Sequence, residues 1–156
     1  MHFELWLVGK TRTSWVRDGQ GKYLDRLTRY ARHAEVIVPA EKSGDPVQIV
    51  NRESERLLLR LKKSDSRYTI LLDEHGVLTD SPGLAALIDK ARAARGPQLR
   101  FIIGGAYGVN SAVRAAVDHQ LALSRMTFPH ELVRVLFLEQ LYRAFTILRG
   151  ESYHHS

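Results

Sequence analysis

The stretch that decides the fold is Leu-Arg-Phe-Ile-Ile-Gly-Gly-Ala-Tyr-Gly, residues 99–108. Its first half, residues 99–103, is a short apolar run that predicts a buried strand. The glycine-rich residues 104–108 follow at once, and Asn110 can cap a short helix that reaches about residue 117. Open α/β sheets bind ligands where a strand ends, and glycine lets the backbone approach a ligand closely. The stretch therefore predicts a ligand site, with a tight structural turn as the alternative interpretation.

The rest of the chain alternates strands and helices on both sides of that stretch. This alternation predicts an α/β fold with a mostly parallel sheet and helices on both faces. No linker, repeat or low-complexity segment interrupts it, so we interpret residues 1–156 as a single domain. Further strands are predicted over residues 2–8, 35–39, 68–73 and 121–124, and helices over residues 15–30, 47–63, 81–95 and 129–149.

The same pattern also predicts the positions of two single residues. Trp15 is counted among the apolar positions of the first helix, whose other face carries basic residues. Gly76 is placed in a loop that follows the strand over residues 68–73. Both placements follow from local pattern alone.

The composition excludes several classes of protein. Hydrophobic residues make up 44% and charged residues 26% of the chain, which is the balance of a folded globular protein. The chain has no cysteine, so disulfides and thiolate metal sites are not expected, and a reducing cytoplasm is the expected location. No apolar run of about 18 residues predicts a membrane span, and no secretion signal opens the chain. No spaced set of His, Asp and Glu predicts a metal site.

The positive charge of the chain favours a polyanionic partner. Lys and Arg number 23 against 17 Asp and Glu, and 17 of the 23 are Arg, whose guanidinium suits bidentate phosphate contacts. Codon bias in a GC-rich genome is the alternative explanation for so many arginines. The most basic segment is residues 10–32, and Lys10, Arg12 and Arg17 are its first cations. We take these three as candidate nucleic-acid contacts, with a solvated helix face as the alternative.

Two loops could form the walls of a ligand site. Residues 104–108 have the spacing G-G-x-x-G, which is not the dinucleotide fingerprint, and phosphate-loop and nucleophile-elbow patterns are absent from the sequence. The second loop, residues 123–130, reads Leu-Ser-Arg-Met-Thr-Phe-Pro-His. Met126 and Phe128 could wall a flat aromatic ligand while backbone amides recognise its edges. Packing under the last helix is the alternative interpretation of this loop.

The last predicted helix has a broad apolar surface and one polar stripe. Its apolar surface is wider than one sheet covers, which predicts a subunit interface and a homodimer. Glu139, Arg143 and Thr146 are placed together on the polar stripe. Glu139 and Arg143 have the spacing of an ordinary i,i+4 ion pair.

Several blocks of the chain together resemble one bacterial family. They are Val-Gly-Lys-Thr (8–11), Leu-Leu-Asp (71–73), Ile-Ile-Gly-Gly-Ala-Tyr-Gly (102–108), Leu-Ser-Arg-Met-Thr-Phe-Pro-His (123–130), Glu-Gln-Leu-Tyr-Arg-Ala (139–144) and the ending Tyr-His (153–154). The blocks cover essentially the whole chain. In order and spacing they resemble the RlmH family of ribosomal RNA large subunit methyltransferases, within the knotted SPOUT superfamily.

The resemblance implies an S-adenosylmethionine-dependent enzyme that methylates N3 of a pseudouridine (position 1915, in helix 69) of 23S ribosomal RNA, within the assembled 70S ribosome. It also implies a homodimer and a trefoil knot near the carboxyl end. Sequence pattern would not predict the knot, because threaded chains are nearly absent from folds in general. The implied cofactor-binding positions are Leu72, Gly104, Leu123, Ser124, Arg125, Met126, Thr127 and Phe128.

Methyl transfer to such a nitrogen requires that its proton be removed or its anion stabilised. His154 is our candidate base, and Arg143 is our candidate cation. Tyr153 could stack on a splayed base, so we expect the tail, residues 151–156, to close over the target in its own or the partner subunit's site. A disordered tail is the alternative. Two other functions stay open, a methyltransferase of transfer RNA and an RNA-binding module without chemistry.

Overall fold

The computed structural model of the chain describes residues 1–154. The strands are β1 His2–Val8, β2 Arg32–Val38, β3 Tyr68–Leu78, β4 Gln98–Ile103 and β5 His119–Ala122, and the helices are α1 Ser14–Leu27, α2 Pro46–Lys63, α3 Ser81–Arg95, α4 Ser111–Ala115 and α5 His130–Leu148. Within the described residues the strands form one parallel sheet in the order β2-β1-β4-β3-β5. The predicted α/β fold with a parallel sheet is confirmed.

Three of the helices, α2, α3 and α4, begin at a capping side chain. The Asp45 carboxylate accepts the Gln48 N–H at 2.9 Å at the start of α2. Asp80 caps α3 in the same way, directly before residue 81, where the sequence predicts that the helix begins. Asn110 caps α4 by accepting the Val113 N–H at 3.2 Å, as predicted. These bonds satisfy amides that have no partner within the helix.

The sheet is covered on both faces, and each face has its own hydrophobic cluster. The larger cluster joins α1, α3 and α5 to one face of the sheet, through residues such as Leu5, Phe101 and Phe137. The smaller cluster joins α2 and α4 to the other face, around Trp6 and Leu57. The expected placement of helices on both faces is confirmed. Strands covered on both faces are the reason why β3 and β4 are apolar without alternation.

The carboxyl ends of β1 and β4 lie beside Leu72 of β3 at one edge of the sheet. Leu7 pairs with Ile103 across β1 and β4, and Leu72 pairs with Ile103 across β3 and β4. Residues that follow these strands, Gly104 among them, therefore leave the sheet side by side. This edge is where parallel α/β sheets bind ligands.

The two placements made for single residues are wrong. Gly76 is buried inside β3, which continues past a shift in register so that Val77 pairs with Leu121 of β5. A Cβ on Gly76 would lie only 2.6 Å from the Gln120 carbonyl carbon, so this glycine permits a close approach of two strands. Trp15 is 60% exposed, because the buried face of α1 is formed by Val16, Gln20, Leu24 and Leu27.

We expect Gly76→Ala to lower the free energy of unfolding by about 2–3 kcal/mol, since the added methyl group meets backbone atoms that cannot move aside. Urea denaturation monitored by circular dichroism measures the change. Gly21→Ala is the matched control, because a Cβ there meets nothing within 4 Å. Alanine in an exposed helix position should stabilise by up to about 1 kcal/mol. Equal effects of the two substitutions would contradict the proposed strand contact.

The broad apolar surface of α5 is largely covered within the chain. Phe137, Leu138 and Leu141 are fully buried among α1, α3 and the sheet. Thr146 is also fully buried, so its placement on the polar stripe is wrong. Its hydroxyl donates to the Arg143 carbonyl at 2.7 Å, which lets it lie in an apolar environment. The homodimer and the trefoil knot stay predictions.

Candidate active site

A cleft of about 290 Å³ opens at the carboxyl edge of the sheet. It lies between the glycine loop, residues 104–108, and the loop over residues 123–130. Seven of the eight positions implied by the resemblance line it, and they come from β3, the glycine loop and the loop after β5. These seven are Leu72, Gly104, Leu123, Ser124, Met126, Thr127 and Phe128. The structure therefore brings together residues that lie up to 56 positions apart in sequence.

The glycine loop folds tightly against itself. The Gly108 N–H donates to the Gly105 carbonyl at 3.1 Å, and Gly108 has a φ of +76°, which favours glycine. Gly104 is buried, and a Cβ there would lie 3.1 Å from Val109 Cγ1 and 3.3 Å from the Gly108 carbonyl carbon. The glycines thus form a tight turn and also line a cleft, so the two interpretations of this segment describe the same loop.

The facing loop is anchored to the extension of β3. Arg125 Nη1 donates to the carbonyls of Glu74 and Gly76 at 2.9 and 3.1 Å, so the Arg125 side chain holds the loop and does not line the cleft. Thr127 Oγ1 donates to the Glu74 carboxylate at 2.9 Å. Met126 is 72% exposed at the mouth of the cleft. These anchors leave the loop backbone facing the glycine loop across the cleft.

Polar groups in the cleft are held by ion pairs and burial. The Asp73 carboxylate lies 2.6 Å from Arg114 Nε and also accepts the His75 N–H at 2.9 Å. His130, at the start of α5, also lines the cleft. Burial lowers the pKa of His130, and the charge of Arg134 lowers it further, so the imidazole is neutral at physiological pH. The cleft combines apolar walls with a few fixed polar groups, as small-molecule sites usually do.

The first turn of α5 holds the loop that carries the predicted basic contacts. The Glu131 carboxylate accepts the N–H groups of Arg12 and Thr13 at 2.9 and 3.0 Å. Arg134 is fully buried, and its guanidinium donates to Thr11 Oγ1 and to the Val8 carbonyl, each at 2.8 Å. The exposed side chains of this loop therefore lie next to the cleft, beside its lining residue His130.

Sequence reasoning missed Glu131 and Arg134. Arg134 stands between Val133 and Val135 in an apolar helix, and a charged residue in such a position is usually buried with partners. This position of Arg134 between apolar residues was the sequence signal that could have identified it. The partners themselves lie more than 110 positions away in sequence, so nothing local identifies them.

We expect Glu131→Gln to lower the free energy of unfolding at pH 7 by about 1 kcal/mol, a value discounted for partial exposure of the side chain. Burial acts to raise the pKa of Glu131, but hydrogen bonds from Thr13 and Arg12 and the charge of Arg134 outweigh it and lower the pKa to about 2. The carboxylate thus contributes stability above its ordinary pKa of 4.5, and this contribution is lost as the pH falls towards 2. Urea unfolding at pH 7, 4 and 2.5 measures the difference.

The difference in free energy of unfolding between Glu131→Gln and the unsubstituted protein should disappear as the pH approaches 2. The exposed Glu55 supplies the control, since Glu55→Gln should differ little from the unsubstituted protein at any of these pH values. If this difference in free energy of unfolding is as large at pH 2.5 as at pH 7, the carboxylate does not hold the loop through its charge.

The candidate catalytic residues lie at the other end of α5. Arg143 follows His130 by 13 residues, which is about 20 Å along the helix axis. Its guanidinium lies 2.6 Å from Glu139 and 4.8 Å from the centre of the Tyr153 ring. His154 follows directly, and its Nδ1 is buried without a hydrogen-bond partner among residues 1–154. Arg143 and Tyr153 contact each other, and neither they nor the adjacent His154 line the cleft of the same chain.

The tail is packed on α5 through aromatic and polar contacts. The Tyr153 ring lies 4.7 Å from the Tyr142 ring in an edge-to-face arrangement, and the Tyr30 hydroxyl donates to Glu151 at 2.6 Å. Burial, and then a hydrogen bond with Tyr23, raise the pKa of Tyr153 to about 12, so its ring is neutral. His155 and Ser156 lie outside the described residues.

Comparison with known proteins first identifies the class of protein. The family model described as "Predicted SPOUT methyltransferase" matches residues 1–154. Proteins named "Ribosomal RNA large subunit methyltransferase H" are similar over nearly the whole length. Those of Geobacter metallireducens and Geobacter sulfurreducens are each 47% identical, with 97% of both chains covered, and that of Symbiobacterium thermophilum is 40% identical, with 99% of both covered. The chain therefore belongs to the SPOUT methyltransferases and, among them, to the RlmH family, which confirms the resemblance.

No group of three or more His, Asp or Glu side chains within residues 1–154 could hold a metal ion. None of the helices in the same range is long and apolar enough to cross a membrane.

Proposed function

We propose that this protein is an S-adenosylmethionine-dependent methyltransferase of ribosomal RNA, acting on N3 of a pseudouridine in helix 69 of 23S ribosomal RNA in the assembled 70S ribosome. The observation that carries the proposal is the cleft at the carboxyl edge of the sheet, where seven of the eight implied cofactor positions converge. Relatives at 40–47% identity carry the name of a large-subunit ribosomal RNA methyltransferase. A ribosomal substrate also places the activity in the cytoplasm.

The residues of the cleft suit S-adenosylmethionine. Leu72 and Phe128 provide apolar walls for a flat adenine ring, and the glycine loop allows its backbone to approach the ligand. Asp73, Ser124 and Thr127 offer polar groups for the ribose and the amino-acid portion. When bound, the cofactor would supply an electrophilic methyl group. The protein then has to orient the target nitrogen and manage its proton.

Arg143, Tyr153 and His154 are suited to that second task. The buried Nδ1 of His154 has no hydrogen-bond partner in the described part of the chain, so this nitrogen can take the proton from N3 when the tail opens to the substrate. Hydrogen bonding to Glu139 raises the pKa of Arg143, so this guanidinium is a permanent cation that can stabilise a nitrogen anion. The neutral ring of Tyr153, beside them, can stack on the target base.

The distance along α5 between Arg143 and the cleft bears on the oligomeric state of the protein. Because Arg143 lies about 20 Å along the helix from His130, one chain cannot place the Arg143–His154 group over its own cleft while α5 stays straight. A second copy in antiparallel orientation would bring its group to this cleft. We therefore propose a homodimer in which each active site combines the cleft of one subunit with the tail of the other.

The basic loop after β1 and the first turn of α1 supply the RNA contacts. Lys10, Arg12 and Arg17 are exposed, and the loop is fixed beside the cleft by Glu131 and Arg134. Phosphates of the RNA bound there would be held next to the methyl-transfer site. Such contacts fix the position of the RNA but do not select the base.

The function is tested by methylation of 70S ribosomes from a strain that lacks the enzyme. Purified protein with S-adenosylmethionine should add one methyl group to a helix 69 pseudouridine, located by mass mapping of nucleosides. Methylation of transfer RNA instead would replace the proposed substrate. Failure to bind S-adenosylmethionine in isothermal titration, with RNA binding retained, would leave an RNA-binding module.

We expect the triple variant Lys10→Ala, Arg12→Ala, Arg17→Ala to flatten the salt dependence of RNA binding. Each lost phosphate contact reduces the slope of log K against log salt by about 0.7 on single-stranded RNA, so three contacts amount to about 2. Filter binding between 50 and 300 mM salt measures the slope.

The matched control for the salt experiment removes three cations at the opposite edge of the sheet. Lys62, Lys63 and Lys90 are exposed near the carboxyl ends of α2 and α3, and their replacement by alanine changes the net charge equally. For this control variant, the slope of log K against log salt should stay close to that of the unsubstituted protein. If the control flattens the slope as much as the triple variant, the RNA face lies elsewhere.

A further inference from the structure

A buried carboxyl group of α2 lies behind the glycine loop. Glu53 is only 3% exposed, and its Oε1 accepts the Glu41 N–H at 2.9 Å. Its Oε2 is buried and has no hydrogen-bond partner among residues 1–154. An unpartnered buried carboxyl oxygen costs free energy of folding, so stability does not explain the presence of Glu53 at this position.

The free oxygen of Glu53 faces the backbone of Gly105. A Cβ on Gly105 would collide with Oε2 and lie 3.1 Å from the carboxyl carbon, so a side chain at this position would displace either the carboxyl group or the loop. The φ of Gly105 is not positive, so the backbone conformation does not itself require glycine. Glycine at position 105 leaves the space that the carboxyl group occupies.

The same helix also holds the far end of the loop. Ser54, the next residue of α2, is fully buried, and its Oγ accepts the Asn110 N–H at 3.0 Å. Burial raises the pKa of Glu53, and the neighbouring Glu41 adds to this, while the bond from the Glu41 amide and the charge of Arg56 oppose it. Two adjacent side chains of α2 therefore support the loop from the side opposite the cleft.

We propose that Glu53 is a positioning residue for cofactor binding, whose carboxyl group sets the position of Gly105 and so the shape of the S-adenosylmethionine cleft. Gly105 contacts the carboxyl group and also lines the cleft, so a shift of one changes the other. This inference rests on the proposed function, because it concerns the site assigned to the cofactor. Glu53 need not touch the cofactor itself.

A double-mutant cycle between Glu53 and Gly105 tests the contact, with S-adenosylmethionine affinity measured by isothermal titration. Gly105→Ala should weaken binding at least about tenfold, because the new methyl group displaces the loop. Glu53→Ala should also weaken it, because the loop loses its support. The double variant should bind more tightly than the product of the two effects predicts, since the removal of the carboxyl group makes room for the methyl group.

Conservative variants separate positioning from general stability. Glu53→Gln keeps the size of the side chain and the acceptor for the Glu41 amide, so it should bind within about threefold of the unsubstituted protein. Leu58→Ala, a half-buried position in the same helix, should lower the melting temperature and leave cofactor affinity unchanged. If Glu53→Ala does not fold, Glu53→Asp supplies the same cycle, because its shorter side chain withdraws the carboxyl group from Gly105.

Additive effects in the cycle, or an unchanged affinity in Glu53→Ala, would overturn the inference. So would a loss of affinity in Leu58→Ala equal to that in Glu53→Ala. If the unsubstituted protein binds no S-adenosylmethionine, the proposed function fails instead. The two failures are thus distinguished by the titration of the unsubstituted protein alone.

Discussion

His154→Ala is expected to lower the rate of methyl transfer to 70S ribosomes about 100-fold or more, the usual scale for the loss of a positioned acid-base group. Removal of residues 153–156 should have at least the same effect, because it also deletes the ring of Tyr153. Affinity for S-adenosylmethionine and the melting temperature should change little, since His154 is absent from the lining of the cleft. Single-turnover transfer of labelled methyl groups measures the rate, and isothermal titration measures the affinity.

The control for His154 lies in the same tail. Ser152→Ala changes an exposed residue two positions earlier and should leave the rate unchanged. If the truncated protein methylates ribosomes at the full rate, the tail has no catalytic part, and another group must handle the proton of N3.

Subunit mixing extends this test to the proposed composite site. His154→Ala and a cleft variant are each expected to be inactive as pure dimers. Unfolding and refolding them together should give about half mixed dimers, each with one intact pair of cleft and tail, and thus about a quarter of the normal activity. A mixture without activity would show that each subunit uses its own tail.

Gly104→Val is the cleft variant with the largest expected effect, a loss of S-adenosylmethionine affinity of about 100-fold or more. A Cβ at this buried position already lies 3.1 Å from Val109 Cγ1, and two further methyl groups must displace the loop or fill the cleft. Displacement of the loop would remove the surface that the ligand contacts, and a 100-fold loss of affinity corresponds to about 2.8 kcal/mol of binding free energy, since each 1.4 kcal/mol is a factor of about ten. Isothermal titration measures the loss.

The size of the side chain should determine the effect at Gly104. Gly104→Ala, which adds one methyl group, should weaken binding less than the valine variant does. Ala112→Val adds a branched side chain at an exposed position of α4 and should bind normally. Normal binding by a folded Gly104→Val protein would mean that the cofactor site is not in this cleft.

The sequence by itself determined the order and type of the elements and the edge of the sheet that bears the site. Apolar runs and helical periodicity are local properties, and so is the capping preference of Asn110, so they can be read without knowledge of distant residues. The junction of β4 with the glycine loop located the cleft for the same reason. The family resemblance added the remaining lining positions.

Only the tertiary structure decided which residues support the cleft and how far Arg143 lies from it. Gly76 is a strand residue because β5 approaches its backbone, and Gly105 leaves the space that the Glu53 carboxyl group occupies. Glu131 and Arg134 hold a loop more than 110 positions away in sequence. The distance between Arg143 and the cleft likewise depends on how α5 docks on the sheet. Such contacts join residues remote in sequence, and local pattern carries no information about them because burial and hydrogen-bond partners are settled only when the chain packs.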